Sequence, residues 1–192
     1  MKIETLRNGD NVVLKPLTMA DFDRSLSFFR ALSADERRYL RFDVTNPDVV
    51  RRLISEAEAG HAFRVIATVN DAVVGHGALE FSLLGWHRHV AEIRVVVAAS
   101  HRRQRLGALI VRALYEAAQE HGLERVVMKM ADQQTAARKI ADRLGFTVDA
   151  VLPDHIKDAD GNLTALVVMS CSLDAVSRAL REFYKSDDWP DG

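Results

Sequence analysis

Three runs of β-branched and other apolar residues in the middle of the chain predict three consecutive strands. They are AFRVIATV, AVVGHGALEFS and VAEIRVVV, at residues 62–69, 72–82 and 90–97. Asn70-Asp71 between the first two runs predicts a compact turn, and therefore an antiparallel hairpin. Further strands are predicted at 11–17, 124–130 and 163–173. The last of these is expected to pair with the segment after Phe146 through a turn at Asp160-Gly161.

Apolar residues that recur three and four positions apart predict amphipathic helices between and after these strands. The helix that follows Gly107 and ends near Gly122 is expected to bury Leu109, Ile110, Leu114 and Ala117. A second helix is predicted over Thr135 to Leu144, and a last helix carries Val176, Leu180 and Phe183. The N-terminal third is predicted to hold one strand and two or three short helices, two of which begin at the capping boxes TMAD and SADE.

This order of elements predicts an α/β (α+β) fold. A strand, a helix and a further strand in sequence form a βαβ unit, which requires one parallel pair. We therefore expect a central mixed, mostly antiparallel sheet of six to seven strands, flanked by helices. Residues 1–192 are expected to form a single domain with its core at about 10–173. Residues 174–192 are predicted to be a C-terminal helix and a loose tail. The helix and Trp189 are expected to pack either on the domain or on a second copy in a homodimer.

Composition narrows the classes of function. The chain has 192 residues and a formal net charge of -1, so bulk charge predicts neither a nucleic-acid partner nor a membrane partner. Its single cysteine, Cys171, excludes an internal disulfide and favours a reducing compartment. Neither a signal peptide nor an apolar run of roughly 18 residues is visible. We therefore expect a soluble, cytoplasmic protein.

The stretch VVVAASHRRQRLGALIV, residues 95–111, places four basic residues between a strand and a helix. A helix N-terminus carries roughly +0.5 charge and exposes unpaired N–H groups, so it attracts anions, phosphate above all. Cations are disfavoured there unless an anion binds, although a solvated turn is the alternative interpretation. The pattern lacks both GxxxxGK(S/T) and GxGxxG, which excludes a Walker A loop and gives no support to a dinucleotide fold.

This stretch resembles the GNAT superfamily of acyl-CoA-dependent N-acetyltransferases, whose signature is Arg/Gln-x-x-Gly-x-Gly/Ala at the start of a helix. Arg102 matches the first position and Gly107 the last, while Arg105 stands where the middle glycine is usual. The resemblance implies that backbone N–H groups of this segment cradle the pyrophosphate of coenzyme A. The implied cofactor-binding residues are Arg102, Arg103, Gln104, Arg105, Leu106, Gly107 and Ala108. The Arg105 side chain either crowds the pyrophosphate or points outward and pairs with a phosphate.

Other segments extend the resemblance over roughly residues 10–173. AEIRVVV is similar to the family's fourth strand, which implies that the backbone of Val95, Val96 and Val97 lies beside the pantetheine arm. QTAARKIADRLGF resembles a second family motif, with Gln134 in place of the usual Asn and Ala141 where a tyrosine often protonates the leaving thiolate. FFRALSADERRYLRF and LPDHIKDADGNLTALVVM are similar to a bacterial branch of protein lysine acetyltransferase-like domains.

Acetyl transfer to an amine needs a base, because a lysine-type ammonium has a pKa near 10.4. We expect Glu92 to be this base, with a pKa raised by burial beside the sheet. The alternative is an exposed or salt-bridged strand glutamate, and Glu80 is the reserve candidate. The resemblance implies an oxyanion donor at the backbone N–H of Val96 or Val97.

No residue is an obvious acid. The three tyrosines are expected to be packing or surface residues, and they are Tyr39, Tyr115 and Tyr184. The thiolate is therefore expected to leave unassisted or to be protonated by water. His87 and His89 lack further ligands, and we expect no metal. His155 lies near the substrate or only orders the hairpin.

Taken with the resemblance, these residues predict an acetyl-CoA-dependent N-acetyltransferase that modifies a primary amine, in the first place a protein lysine, by direct attack in a ternary complex. A small-molecule amine and a ribosomal N-terminus are alternative acceptors. The alternative to an enzyme is a non-catalytic acyl-CoA sensor. The departures from the family motifs at Ala141 and Arg105 favour a sensor, whereas Glu92 favours catalysis. A piece of a larger regulated enzyme is a third alternative.

Overall fold

The computed structural model describes residues 1–82, 84–158 and 160–185. The strands are β1 Lys2–Thr5, β2 Asn11–Pro16, β3 Ala62–Val69, β4 Ala72–Phe81, β5 Val90–Val97, β6 Arg125–Ala131, β7 Thr147–Lys157 and β8 Leu163–Ser172. The α-helices are α1 Phe22–Ala31, α2 Ala34–Arg37, α3 Pro47–Glu58, α4 Leu106–Glu120, α5 Thr135–Arg143 and α6 Leu173–Lys185. None of the helices in these ranges is long and apolar enough to span a membrane. The predictions for the side chains of Phe183 and Tyr184, and for Trp189 and the tail, lie outside the described residues.

The strands form one mixed sheet in the order β1-β2-β3-β4-β5-β6-β8-β7, in which only β5 and β6 are parallel. The predicted α/β class and its parallel pair are confirmed. The described sheet has eight strands rather than six to seven, because Lys2–Thr5 forms an edge strand on β2. This strand is four residues long and largely exposed, so it has no apolar alternation that would reveal it.

The predicted β3–β4 hairpin is confirmed, and its turn residues adopt the conformation that the sequence suggested. Asn70 and Asp71 have φ angles of 48° and 62°, the left-handed pair that matches the twist of a two-residue hairpin. The hairpin of β7 and β8 is also present, and Gly161 in its turn donates from its N–H to the Asp158 carbonyl oxygen at 3.0 Å. Both turns therefore follow from local residue chemistry.

Helices cover both faces of the sheet. On one face α1 and α3 pack over an apolar cluster that includes Phe29, Ile54 and Ile66. On the other face α4 and α6 pack over a larger cluster, which α5 extends with the fully buried Ala141. Helix α4 lies very close to β4, since a Cβ added to Gly77 would be 2.5 Å from Ile110 Cγ2. The glycines of β4 therefore allow α4 to lie directly against the strand.

The parallel pair is short, and this creates the opening that positions the site. Strand β5 pairs with β6 only from Val90 to Glu92, opposite Arg125 to Val127. Beyond Glu92 the two strands pair no further within the described residues, although β5 continues to Val97 and β6 to Ala131. We call the gap between these two strand segments the β5–β6 cleft.

Candidate active site

The cleft-facing edge of β5 offers backbone hydrogen-bond groups. The Ala98 N–H donates to the Val74 carbonyl oxygen on β4 at 2.9 Å. Since bonding directions alternate along an antiparallel ladder, Val96 also bonds toward β4, while Val95 and Val97 turn their N–H and C=O groups toward the cleft. Of the two oxyanion donors that sequence analysis suggested, the N–H of Val97 therefore faces the cleft, whereas that of Val96 belongs to the ladder.

The loop after β5 contains two arginines in left-handed backbone conformation. Arg103 and Arg105 have φ angles of 60° and 68°, and Arg105 is the residue that precedes the first turn of α4. A residue other than glycine is strained in the left-handed backbone conformation. This explains why the family signature usually has a glycine at the position that Arg105 occupies. The loop nonetheless makes the turn, and α4 begins at Leu106 with its first N–H groups directed back toward the loop.

Beside this loop lies a polar cavity of about 560 Å³. Its lining residues come from the predicted loop and from the β1–β2 turn, and they are Arg7, Asn8, Ala99, Ser100, Arg102, Arg103 and Gln104. Arg105 is not among these lining residues. The buried Gln104 Oε1 has no hydrogen-bond partner in the described part of the chain. Sequence analysis did not identify Arg7 and Asn8, because only the folded sheet brings the β1–β2 turn to this loop.

Arg102 lies at the junction of three elements. Its guanidinium forms an ion pair with Glu36 of α2, and its Nε donates to the Val97 carbonyl oxygen at 3.3 Å. The pKa of Glu36 is lowered by the hydrogen bond from the Ser33 N–H, against the effect of burial, and further by the charge of Arg102. Arg102 thus ties α2 to the end of β5, at the mouth of the polar cavity.

Gln134 stands at the far end of the cleft. Its side-chain Oε1 accepts a hydrogen bond from the Ala131 N–H at 2.9 Å, at the last residue of β6. Ala141 is 0% exposed within the core, so its position offers neither a hydroxyl nor access to the cleft. Tyr115 packs against the same core cluster and Tyr39 is half-buried near α2.

Glu92 occupies the point where β5 and β6 diverge, but its protonation differs from the prediction. It forms an ion pair with Arg94, and its Oε2 lies 3.0 Å from Lys129 Nζ across the parallel pair. Burial would raise the pKa of Glu92, but the hydrogen bonds and charges of Lys129 and Arg94 outweigh burial and lower it. The expected raised pKa is therefore wrong, and Glu92 is ionised at neutral pH.

Glu80, the reserve candidate, lies directly opposite Glu92 on β4. Its carboxylate contacts Arg64 Nη2 at 2.9 Å and Arg94 Nη2 at 3.6 Å. It also lines a second cavity of about 70 Å³, which we call the α1-side cavity, between β4, β5, α1 and the segment that follows α2. Arg94 thus connects the two carboxylates on one face of the sheet.

The α1-side cavity contains His76, which sequence analysis did not single out. The imidazole is buried, and its ring centroid lies 4.5 Å from that of Phe29. Burial lowers the pKa of His76 to about 3, and the charge of Arg64 adds to this effect, so the ring is neutral. Its only sequence signal was a lone histidine between two glycines in an apolar strand.

The remaining candidates lie elsewhere. His87 and His89 belong to the loop before β5, and no group of three metal-ligating side chains occurs among the described residues. His155 is exposed, and its Nδ1 lies 3.0 Å from the Pro153 carbonyl oxygen within the hairpin. Cys171 is a buried thiol within the core, and burial raises its pKa to about 12.

Several solved structures share this architecture. The chain superimposes with a TM-score of 0.74 on the GNAT domain of S. lividans PAT, at 16% identity over 89% of this chain and 96% of the other. It matches yncA from Salmonella typhimurium, determined with its cofactor acetyl-CoA, with a TM-score of 0.73 at 19% identity over 95% and 99%. It matches the ribosomal-protein-alanine N-acetyltransferase of Brucella melitensis with a TM-score of 0.72, at 18% identity over 83% of this chain and 99% of the other. At these identities the likeness concerns the fold.

Family membership comes from the sequence itself. The model of the Acetyltransferase (GNAT) family matches residues 26–146. This range runs from within α1 through the cleft strands, the basic loop and α5, and it ends at Phe146. The match covers more than half of the chain and all the residues that were singled out around the cleft. The chain belongs to the GNAT acetyltransferase family.

Proposed function

We propose that this protein transfers the acetyl group of acetyl-CoA to a primary amine, and that the acceptor is a protein lysine. The observation that carries the proposal is the β5–β6 cleft, which opens beside the basic loop and the N-terminus of α4. An extended thioester arm and a diphosphate need these two features side by side. A hydrogen-bonding strand edge suits the arm, and a helix N-terminus suits the diphosphate.

The residues present fit acetyl-CoA. The pantetheine arm would bond to the cleft-facing backbone of Val95 and Val97, with Val96 between them. The diphosphate would lie against the loop and first turn of α4, formed by Arg102, Arg103, Gln104, Arg105, Leu106, Gly107 and Ala108. Gln134 would close the cleft at the end of β6. Arg7 from the β1–β2 turn adds a further cation beside the loop.

In the proposed reaction, Glu92 takes a proton from the acceptor ammonium, directly or through water. The amine nitrogen then attacks the thioester carbon and forms the C–N bond. The nitrogen loses its second proton to water as the C–S bond breaks. The Val97 N–H faces the cleft and would stabilise the oxyanion. Because a thiol has a pKa near 8.5, the thiolate can leave unassisted and take a proton from water. The lowered pKa of Glu92 keeps its carboxylate ionised but makes it a weaker base than the sequence predicted.

A lysine acceptor is supported by the two segments that resemble the lysine acetyltransferase-like branch, because they contact each other. Arg38, in the first segment, places its Nη1 3.0 Å from Asp158 and 2.9 Å from Asp160 in the β7–β8 turn. The first segment also lines the α1-side cavity, through Leu40 and Phe42. A cytoplasmic location accompanies the proposal, since the only cysteine is a buried thiol and suits a reducing compartment.

The proposal is tested with the full chain by following CoA thiol release and the mass of the product. The acceptors are a lysine peptide, a peptide with a free N-terminal alanine, and a diamine. Glu92→Gln should lower kcat by about 100-fold or more. Glu80→Gln tests the reserve base, and Glu120→Gln, at the exposed end of α4, is the matched control.

The outcomes separate the alternatives. Acetylation of the lysine peptide that is lost in Glu92→Gln supports the proposal. Near-normal turnover of Glu92→Gln across pH would show that the base is another group. Saturable acetyl-CoA binding without CoA release on any acceptor would identify a sensor instead of an enzyme, and the absence of binding would contradict both functions.

A further inference from the structure

Two residues that line the α1-side cavity each have a buried side-chain nitrogen without a hydrogen-bond partner within the described residues. These atoms are Arg64 Nε and His76 Nε2. The Arg64 and His76 residues are 9% and 8% exposed, and both line the cavity. Buried polar groups in folded proteins are almost always hydrogen-bonded, so each exception needs an explanation. Two exceptions in one small cavity indicate a ligand that accepts hydrogen bonds.

The same region carries surplus positive charge. The ion-pair network beside the cavity contains five cations and three carboxylates within the described residues, namely Arg41, Arg52, Arg64, Arg94 and Lys129 with Glu56, Glu80 and Glu92. The His76 ring adds no charge while it is neutral. A positively charged amine would be repelled by this network unless the same molecule also brought a negative group.

We propose that the acceptor amine carries a carboxylate, which Arg64 and His76 bind in the α1-side cavity with Arg41 at its edge. The Arg64 Nε–H and the His76 Nε2–H donate to the two carboxylate oxygens. One carboxylate satisfies both nitrogen atoms and reduces the surplus positive charge. This inference rests on the function proposed above and concerns the acceptor side of the same site.

The position of the cavity limits the distance between the two groups of the acceptor. His76 pairs with Val96 on β5, and adjacent strands are about 4.8 Å apart. The carboxylate would therefore bind about one strand spacing from the edge of β5 that faces the cleft. The amine and the carboxylate must lie within about one side-chain length of each other. A free amino acid meets this condition, and so does a lysine beside an aspartate or glutamate in a peptide.

Matched acceptors test the proposal with the full chain and acetyl-CoA. Lysine is compared with cadaverine, which lacks only the carboxylate. A capped Asp-Lys peptide is compared with a capped Asn-Lys peptide. We expect the carboxylate-bearing member of at least one pair to have a kcat/KM about 10- to 100-fold higher, the range for a hydrogen-bonded charge pair. The pair that shows the preference identifies the source of the carboxylate.

Variants then assign the preference to the cavity. Arg64→Gln and His76→Gln should each lower the preference about ten-fold or more while leaving turnover of the neutral acceptor within a few-fold. Because both side chains are buried, Arg41→Gln provides a second variant with an exposed side chain and should reduce the preference without affecting folding. Arg51→Gln, whose guanidinium pairs with Asp48 on α3, removes the same charge outside the cavity and should have no effect.

The results distinguish failure of the inference from failure of the function. If the neutral acceptors are used as well as the acidic ones, the carboxylate site is wrong while acetyl transfer stands. An acidic preference that survives both Arg64→Gln and Arg41→Gln would also overturn it. If no acceptor is acetylated by a chain that binds acetyl-CoA, the proposed function fails, and the inference fails with it.

Discussion

Replacing His76 with glutamine should remove much of the acid sensitivity of folding. The pKa of His76 is lowered from 6.5 to about 3, because the ring is buried under α1 and lies close to Arg64. Between these two values the unfolded chain binds a proton that the folded chain excludes, so the free energy of unfolding falls as the pH falls. Integrated from about pH 7 to about pH 5, this linkage amounts to about 2 kcal/mol.

Urea unfolding at the two pH values measures this effect. On acidification the free energy of unfolding of the wild type should fall by about 2 kcal/mol more than that of His76→Gln. This difference does not depend on how much the substitution destabilises the protein at neutral pH. His155→Gln removes an exposed imidazole and should retain the wild-type pH dependence. Equal acid sensitivity in the wild type and His76→Gln would refute the reasoning, because it would mean that the buried ring accepts a proton without cost.

Substitutions at three further positions test the packing, backbone and ion-pair arguments. Gly77→Ala should lower the free energy of unfolding by about 1–3 kcal/mol in urea, since its Cβ meets Ile110 at 2.5 Å; an unchanged midpoint would contradict the close packing of α4. Arg105→Val should destabilise the chain by about 1–2 kcal/mol because of the left-handed backbone, whereas Arg105→Gly should not; equal losses would exclude strain as the cause. Asp21→Asn should cost about 2 kcal/mol in thermal unfolding, because Lys15 Nζ lies 2.7 Å from that buried carboxylate; a negligible change would show that the pair is not stabilising.

Much of the fold follows from local patterns. The β3–β4 hairpin follows from Asn70-Asp71, and the buried face of α4 follows from the spacing of Leu109, Ile110 and Leu114. The short edge strand β1 has no such pattern, because all of its residues are exposed or half-buried. Edge strands bury little, so their apolar positions leave little trace in the sequence.

The cleft was predictable in outline, but its electrostatics were not. The basic loop and the strand before it predict an anion site from sequence alone. The pKa of Glu92 depends on Lys129, which lies opposite only because the parallel pair sets that register. His76 shows the same limit, since an apolar strand pattern does not reveal that its ring shares a cavity with Arg64.

Calorimetric titration of the full chain with acetyl-CoA tests the central claim most directly. We expect one molecule to bind per chain, with an affinity that falls as salt is added, because the diphosphate site that we propose lies at a basic loop. Arg103→Gln should weaken this binding, since Arg103 lines the polar cavity beside the start of α4. The absence of saturable binding at low salt would contradict the assignment of the β5–β6 cleft as an acetyl-CoA site.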